Sequence, residues 1–392
     1  MKIAVVAASY GDDWREEDLL CRRTAAALAT RADVDLLLAS GSESGEDADG
    51  ALRIRRFAAT VHSAGWRRVV ERATVGPAEG EEALGCSCPV PLANRIGADL
   101  PDLLQEEIAR VEGGHSPELY DALRADGYDL VLFAGYRFAS TCFGVQAVGP
   151  GARVALLAMA RDEPLLRFRA YRPLWERVQR VLVVSEHERE LVRRRLGHRD
   201  VPVHDVGFAL RVHPLAAETE PAGWSGEPGL VIARDWTRPA AVGRWLRVAE
   251  RVARELPGVR VCLLGRGSEG LPPQASALVP LAASRLDLWR WVSRSLALID
   301  PEPHRLLARE VLEAMMYGVP VIVADRGGAS REHAERANGG LWFRDEAELV
   351  GCAARLLDAE VRRQLGGQGR AYADARYGDA DAFVEAVWRA VA

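Results

Sequence analysis

The sequence predicts an α/β protein of two doubly wound domains, each a parallel sheet with helices on its faces. Three observations carry this. Short β-branched runs alternate with helix-period segments from the first residues onward, the pattern of βαβ units. A stretch rich in Pro, Gly and Glu, RVHPLAAETEPAGWSGEPG at Arg211–Gly229, interrupts the alternation and reads as a linker. Beyond it the βα pattern restarts, and 392 residues suit two domains.

In the first half, Ile3–Ala7 predicts a strand, Leu19–Ala29 a helix and Val34–Leu38 a second strand. Ser40–Gly50 reads as a polar, acidic loop, and Leu52–Phe57 as a strand. Residues 74–114 give little pattern until a helix at Leu100–Glu112. Ser116 with Glu118 marks a helix start before Leu119–Leu123. Leu130–Ala134, Val154–Leu157, Val181–Ser185 and Val203–Phe208 read as strands. Tyr171–Arg177 is amphipathic, and Ser185 caps a charged helix that runs to Gly197.

In the second half, strands are expected at Leu230–Ala233, Val259–Leu264, Leu296–Ile299 and Val319–Ala324. Helices are expected at Ala241–Leu256, Asp287–Ser293, around Glu313, and at Glu346–Leu357, Glu360–Tyr372 and Asp379–Val391. The domain boundaries that follow are 1–210, a linker at 211–229, 230–375, and a terminal helix at 376–392.

Composition narrows the function. A net charge of −5 lacks the basic excess of a nucleic-acid binder, so no nucleic-acid partner is expected. No apolar run is long enough to span a bilayer, and MKIAVVAASYG reads as a first strand rather than an export signal. The 6 cysteines are scattered, as expected for reduced thiols in the cytoplasm. Cys86 and Cys88 form a close pair, but without a second Cys or His cluster they read as loop residues, and no metal is expected. Lys2 is the only lysine, so no lysine elsewhere can serve as a phosphate clamp or a Schiff base.

Glu313 poses the sharpest question. It stands in PEPHRLLAREVLEAMMYGVPVIVADRGG, Pro301–Gly328, among Val311, Leu312, Ala314 and Met315. A carboxylate in that setting needs a partner. The segment Leu312–Gly328 resembles the donor-site signature of family 4 glycosyltransferases. The resemblance extends to ANGGLWF (Ala337–Phe343), RAYADARY (Arg370–Tyr377), YDLVLFAGY (Tyr128–Tyr136), ARDEP (Ala160–Pro164) and VLVVSEHERELVRRRLG (Val181–Gly197). It implies the GT-B fold: two Rossmann-like doubly wound domains facing a central cleft, with the acceptor on the N-terminal side and the donor on the C-terminal side. The terminal helix is then expected to cross back to the N-terminal domain.

The implied chemistry is retaining transfer of a sugar from a nucleotide-diphosphate sugar to an acceptor the sequence does not name. No cofactor is implied, because cations and backbone N–H groups neutralise the leaving diphosphate. By resemblance, Glu313 binds the nucleotide ribose, Arg234 and Arg238 the diphosphate, and Gly265 in the LLGRG turn the base or ribose. Arg161 and Asp162 stand at the reacting centre, and Tyr136 and Glu163 on the acceptor side.

Four parts depart from the family pattern. Arg305 occupies the position, eight residues before Glu313, where the family has a glutamate on the donor sugar; a guanidinium only donates hydrogen bonds. Leu306-Leu307-Ala308-Arg309 follows without the usual glycine. In the clamp, Pro239 stands where the family has lysine, with Arg238 one step early. Arg161 replaces a histidine, and Arg15-Glu16-Glu17-Asp18 replaces a Gly-Gly pair, as either helix-capping or ligand-facing acids. Arg305 and Arg161 also read as ordinary solvated charges.

Two readings stay open. One is a glycosyltransferase whose arginine-rich cleft meets an unusual donor or an anionic acceptor. The other is a catalytically silent homologue that partners a second glycosyltransferase. The same fold serves epimerases and phosphorylases; the absence of a lysine for pyridoxal phosphate argues against the latter.

Overall fold

The computed structural model describes residues 1–11, 15–41, 43–60, 100–212, 220, 226, 229–233, 242–265, 278–281, 285–301, 305–325 and 328–392. They fall into two compact units. Described residues from Met1 to Phe208, with Ala380–Ala392, form unit one; those from Ala209 to Asp379 form unit two.

Unit one has strands β1 (Lys2–Ala7), β2 (Asp33–Ala39), β3 (Gly45–Asp49), β4 (Leu52–Phe57), β5 (Leu130–Ala134), β6 (Arg153–Leu157), β7 (Arg180–Val183) and β8 (Val203–Asp205). Its helices are α1 (Glu16–Ala29), α2 (Asp102–Val111), α3 (Pro117–Ala125), the short α4 (Ala139–Cys142) and α5 (Gly144–Ala147), α6 (Arg172–Arg177) and α7 (Glu186–Leu196). The sheet order is β3-β4-β2-β1-β5-β6-β7-β8, parallel except for the β3–β4 hairpin. Strand order reverses between β1 and β5, the switch point where α/β sheets bind ligands at their carboxyl ends.

The expected loop at 40–50 therefore holds a strand. All of β3 is exposed, so it has no hydrophobic alternation to betray it. Main-chain pairing with β4 and the ion pairs Arg55–Glu46 (3.6 Å) and Arg56–Asp47 (3.3 Å) hold it instead. The expected strand Val203–Phe208 is shorter, pairing only through Asp205.

Unit two has β9 (Gly229–Ala233), α8 (Val242–Glu255), β10 (Arg260–Leu264), β11 (Leu278–Leu281), α9 (Arg285–Val292), β12 (Ala297–Asp300) and α10 (Arg309–Met316). It continues with β13 (Val321–Ala324), α11 (Gly328–Ala337), β14 (Gly340–Phe343), α12 (Glu346–Arg355) and α13 (Ala359–Tyr377). The order β11-β10-β9-β12-β13-β14 is parallel throughout, with its switch point between β9 and β12.

Burial holds α10, because a helix of 8 residues is marginal alone. Val311, Leu312, Ala314, Met315 and Met316 are all buried. Each large apolar side chain is worth about 1.5–3 kcal/mol. Gly318, at φ +72°, ends the helix in a left-handed turn that suits glycine. Against it lies Gly366 of α13, where a Cβ would stand 2.0 Å from the Gly318 carbonyl oxygen.

The last helix, α14 (Ala380–Val391), packs within unit one. Trp388 Nε1 donates to the Ala27 carbonyl at 3.0 Å, and Phe383 meets Phe208 edge-on. Among the described residues, no helix is long and apolar enough to cross a membrane.

Candidate functional site

On α10, the helix that follows β12 in unit two, Glu313 is 2% exposed and carries three hydrogen bonds. Arg309 Nε donates to Oε1 at 2.7 Å. Trp289 Nε1 donates to Oε2 at 3.0 Å, and the Arg285 guanidinium reaches the same oxygen. Helix periodicity builds this arrangement. Arg309 and Glu313 are four apart on α10, and Arg285 and Trp289 are four apart on α9, so each pair shares a helix face.

The network extends outward. Arg285 Nη1 donates to Glu310 Oε1 at 2.9 Å. Arg305 lies 3.7 Å from Glu310 and 3.6 Å from Asp300, the last residue of β12. Burial alone would push the Glu310 carboxyl up; Arg305, Arg285 and Arg309 outweigh it and hold Glu310 well below the usual carboxylate range. Arg305 is thus tied to two carboxylates rather than being a lone charge at a helix start.

Ala308 caps α10 at φ +53°, ψ +51°, the left-handed region that glycine adopts without strain. The glycine-free stretch Leu306–Arg309 therefore contains a strained alanine. We expect Ala308→Gly to raise stability by about 0.5–1 kcal/mol, since left-handed geometry costs a non-glycine residue about 1–2 kcal/mol and glycine's freedom when unfolded returns part of it. Ala308→Val should lower stability; urea unfolding of both variants tests the pair.

Gly265, at φ +128°, is buried just beyond β10. Arg234, Arg238 and Pro239 lie outside the described residues, as do Cys86, Cys88 and most of 211–229.

At the carboxyl ends of β1, β5 and β6 in unit one, the expected residues form a second network. Tyr136 is fully buried, and its hydroxyl donates to Glu163 Oε1 at 2.6 Å. Arg137 donates to Glu163 Oε2 at 3.0 Å and to Glu112 Oε2 at 2.6 Å. Any contribution of Tyr136 to a ligand therefore passes through Glu163. Arg161 pairs with Glu17, and Asp162 lies 3.7 Å from Arg167. Burial would raise the Glu17 carboxyl, but Arg161 and its neighbours keep it low. Glu16 and Asp18 are buried too, and Ser9 donates its hydroxyl to Asp18. Of the acidic run at the start of α1, Glu16 and Asp18 are thus packed into unit one, and Glu17 is half-buried against Arg161.

Sequence reasoning missed several residues. Arg285 and Trp289 were detectable only as an i,i+4 pair; nothing pointed them at Glu313. Glu188 stands three residues after Ser185, whose hydroxyl accepts the Glu188 N–H at 3.2 Å. Its carboxylate accepts the Ala160 N–H at 2.8 Å and the Val184 N–H at 2.7 Å, tying the Arg161 segment to the start of α7.

No family model matches the chain, and no curated protein matches it. Solved structures do. The chain is similar to sucrose-phosphate synthase from Thermosynechococcus elongatus, at 15% identity and TM-score 0.66 over 99% of this chain and 97% of that one. It is similar to α,α-trehalose 6-phosphate synthase from Burkholderia multivorans, at 13% identity and TM-score 0.65 over 100% and 97%. It is also similar to Anabaena HepE, solved with UDP and glucose, at 14% identity and TM-score 0.62 over 99% and 98%. The fold is that of the GT-B glycosyltransferases, as the sequence predicted.

Proposed function

We propose that this chain is a glycosyltransferase of the family 4 type, transferring a sugar with retention from a nucleotide-diphosphate sugar to an acceptor. The observation that carries the reading is Glu313: a buried carboxylate on α10, the helix that follows β12, a strand at the switch point of unit two. Unit two is the donor side and unit one the acceptor side. A carboxylate offers about four lone-pair directions, and three are taken by Arg309, Trp289 and Arg285. A ribose hydroxyl takes the remaining direction or displaces Arg309. The freed guanidinium then faces the diphosphate, the chemistry for which arginine is suited. Arg305 supports a donor sugar bearing an anionic or acceptor-rich group. Unit one contributes Arg161 and Asp162 near the reacting carbon, and Glu163, braced by Tyr136, toward the acceptor. No cofactor is needed, and a cytoplasmic setting supplies the donor.

One observation favours a second reading, a catalytically silent homologue that partners another glycosyltransferase. Glu313 and Arg161, both assigned to ligands by the resemblance, already hold partners within the chain. Thermal unfolding with UDP, GDP and dTDP, each with its sugars, separates the two. A ligand at roughly a hundredfold over its dissociation constant stabilises by about 2.7 kcal/mol. We expect a clear rise in Tm with one nucleotide family, and hydrolysis or transfer with its sugar. No rise with any of them leaves the silent reading, and co-purification of a partner then becomes the assay.

A further inference from the structure

Helix α11 meets the connection between β12 and α10 at both ends. Ser330 donates its hydroxyl to Asp300, the last residue of β12. Three residues on, and so on the same helix face, His333 Nε2 lies 3.1 Å from the Leu307 carbonyl oxygen. Leu307 immediately precedes the left-handed Ala308, whose carbonyl accepts the Leu312 N–H at 3.1 Å. Arg305 sits between the two anchors, against Asp300 and Glu310.

The chemistry fixes the His333 tautomer. A carbonyl only accepts, so Nε2 carries the hydrogen, and the neutral ring's Nδ1 accepts from Tyr372 Oη at 3.0 Å. His333 is fully buried, as are Leu306 and Leu307. An apolar side chain at 333 would remove the ring's hydrogen bond to the Leu307 carbonyl, beside a strained alanine.

We propose that Ser330 and His333 are positioning residues of the unit-two site: together they hold Asp300 and Leu307, on either side of Arg305, so that Arg305 and the start of α10 meet a nucleotide-diphosphate ligand in one geometry. This rests on the nucleotide-binding reading above. Neither residue touches the ligand; they act by pre-organisation, sparing the cost of ordering the connection on binding.

The test uses the full chain with His333→Leu, His333→Gln and Ser330→Ala. Glutamine keeps an N–H for Leu307 and an oxygen for Tyr372. The first readout is hydrogen–deuterium exchange over residues 300–312, which needs no ligand. His333→Leu should speed exchange there by about tenfold or more with unit one unchanged, and His333→Gln should restore it to within about threefold. The second readout is calorimetry with UDP, GDP and dTDP. The Leu variant should weaken the tightest nucleotide about tenfold, and Gln should recover most of the loss. Should the Leu variant fail to fold, Ser330→Ala carries the comparison, with effects of about threefold in the same directions. A folded Leu or Ala variant that exchanges like wild type over 300–312 overturns the clamp. Faster local exchange with unchanged nucleotide affinity overturns the positioning role. Wild type that binds no nucleotide overturns the functional reading, while exchange still decides the clamp.

Discussion

Glu313→Ala should lower the stability of the chain by about 3–5 kcal/mol, the cost typical of breaking a buried ion pair from one side. The substitution removes one of the two carboxylates that hold Arg285, together with the acceptor of the Arg309 Nε–H and of the Trp289 N–H, in a nearly dry site. Glu310 remains, but it already serves Arg285 and Arg305. Glu313→Gln should cost less, because one amide oxygen still accepts while the charge is lost. Urea unfolding of both variants measures the difference. A loss below about 1 kcal/mol for the alanine variant would mean that the three donors find other acceptors and the carboxylate does not organise the site. The Gln variant should also lose the nucleotide-induced rise in Tm, since its amide cannot accept through both oxygens.

The second large effect is an opposite pH response in the two units. In unit two, burial pushes the His333 imidazole down from 6.5 to about 4; Arg376 and Arg336 add to the fall, while Glu332 and the Leu307 carbonyl oppose it. A depressed folded value means that the contribution is fully present above pH 6.5 and lost as pH falls through about 4. At 1.36 kcal/mol per unit of pH, it amounts to at most about 3 kcal/mol. In unit one, burial and, to a smaller extent, Asp205 push Glu188 up from 4.5 to about 7, against backbone N–H donors that favour its ionised form. A raised folded value means that its contribution is fully present below pH 4.5 and lost as pH rises through about 7, again at most about 3 kcal/mol. Hydrogen exchange resolved by peptide, run from pH 4 to 8 and corrected for intrinsic rates, reads each unit separately. Unit two should weaken toward acid and unit one toward neutrality. His333→Gln should flatten the first response and Glu188→Gln the second. Parallel responses in both units, unmoved by either substitution, would refute the assignment.

Most of the scaffold was legible in the sequence, and the particular elements show why. β5, and β1 and β6 after their first residue, are unbroken apolar runs because parallel strands are buried on both faces. Ser116 and Ser185 mark helix starts because a side-chain oxygen there answers a free backbone N–H. What failed lacked such a signal. β3 is exposed on both faces. Helix α11 was not anticipated, because GASREHAERA pairs a weak apolar stripe with a glycine start.

At the site, the sequence by itself determined the residue types and their spacing along one helix. It placed Glu313 among apolar residues, Arg305 in a position where a carboxylate was expected, and no glycine in the stretch Leu306–Arg309 where the family tends to have them. The tertiary structure alone decided what those residues touch. Arg285 and Trp289 reach Glu313 across 28 and 24 residues of chain, Tyr136 spends its hydroxyl on Glu163 across 27, and Arg161 meets Glu17 across 144. Periodicity reports which face of an element is buried, but not which other element covers it. A carboxylate and its counter-charge from separate elements leave no shared period in the sequence, so only packing brings them together.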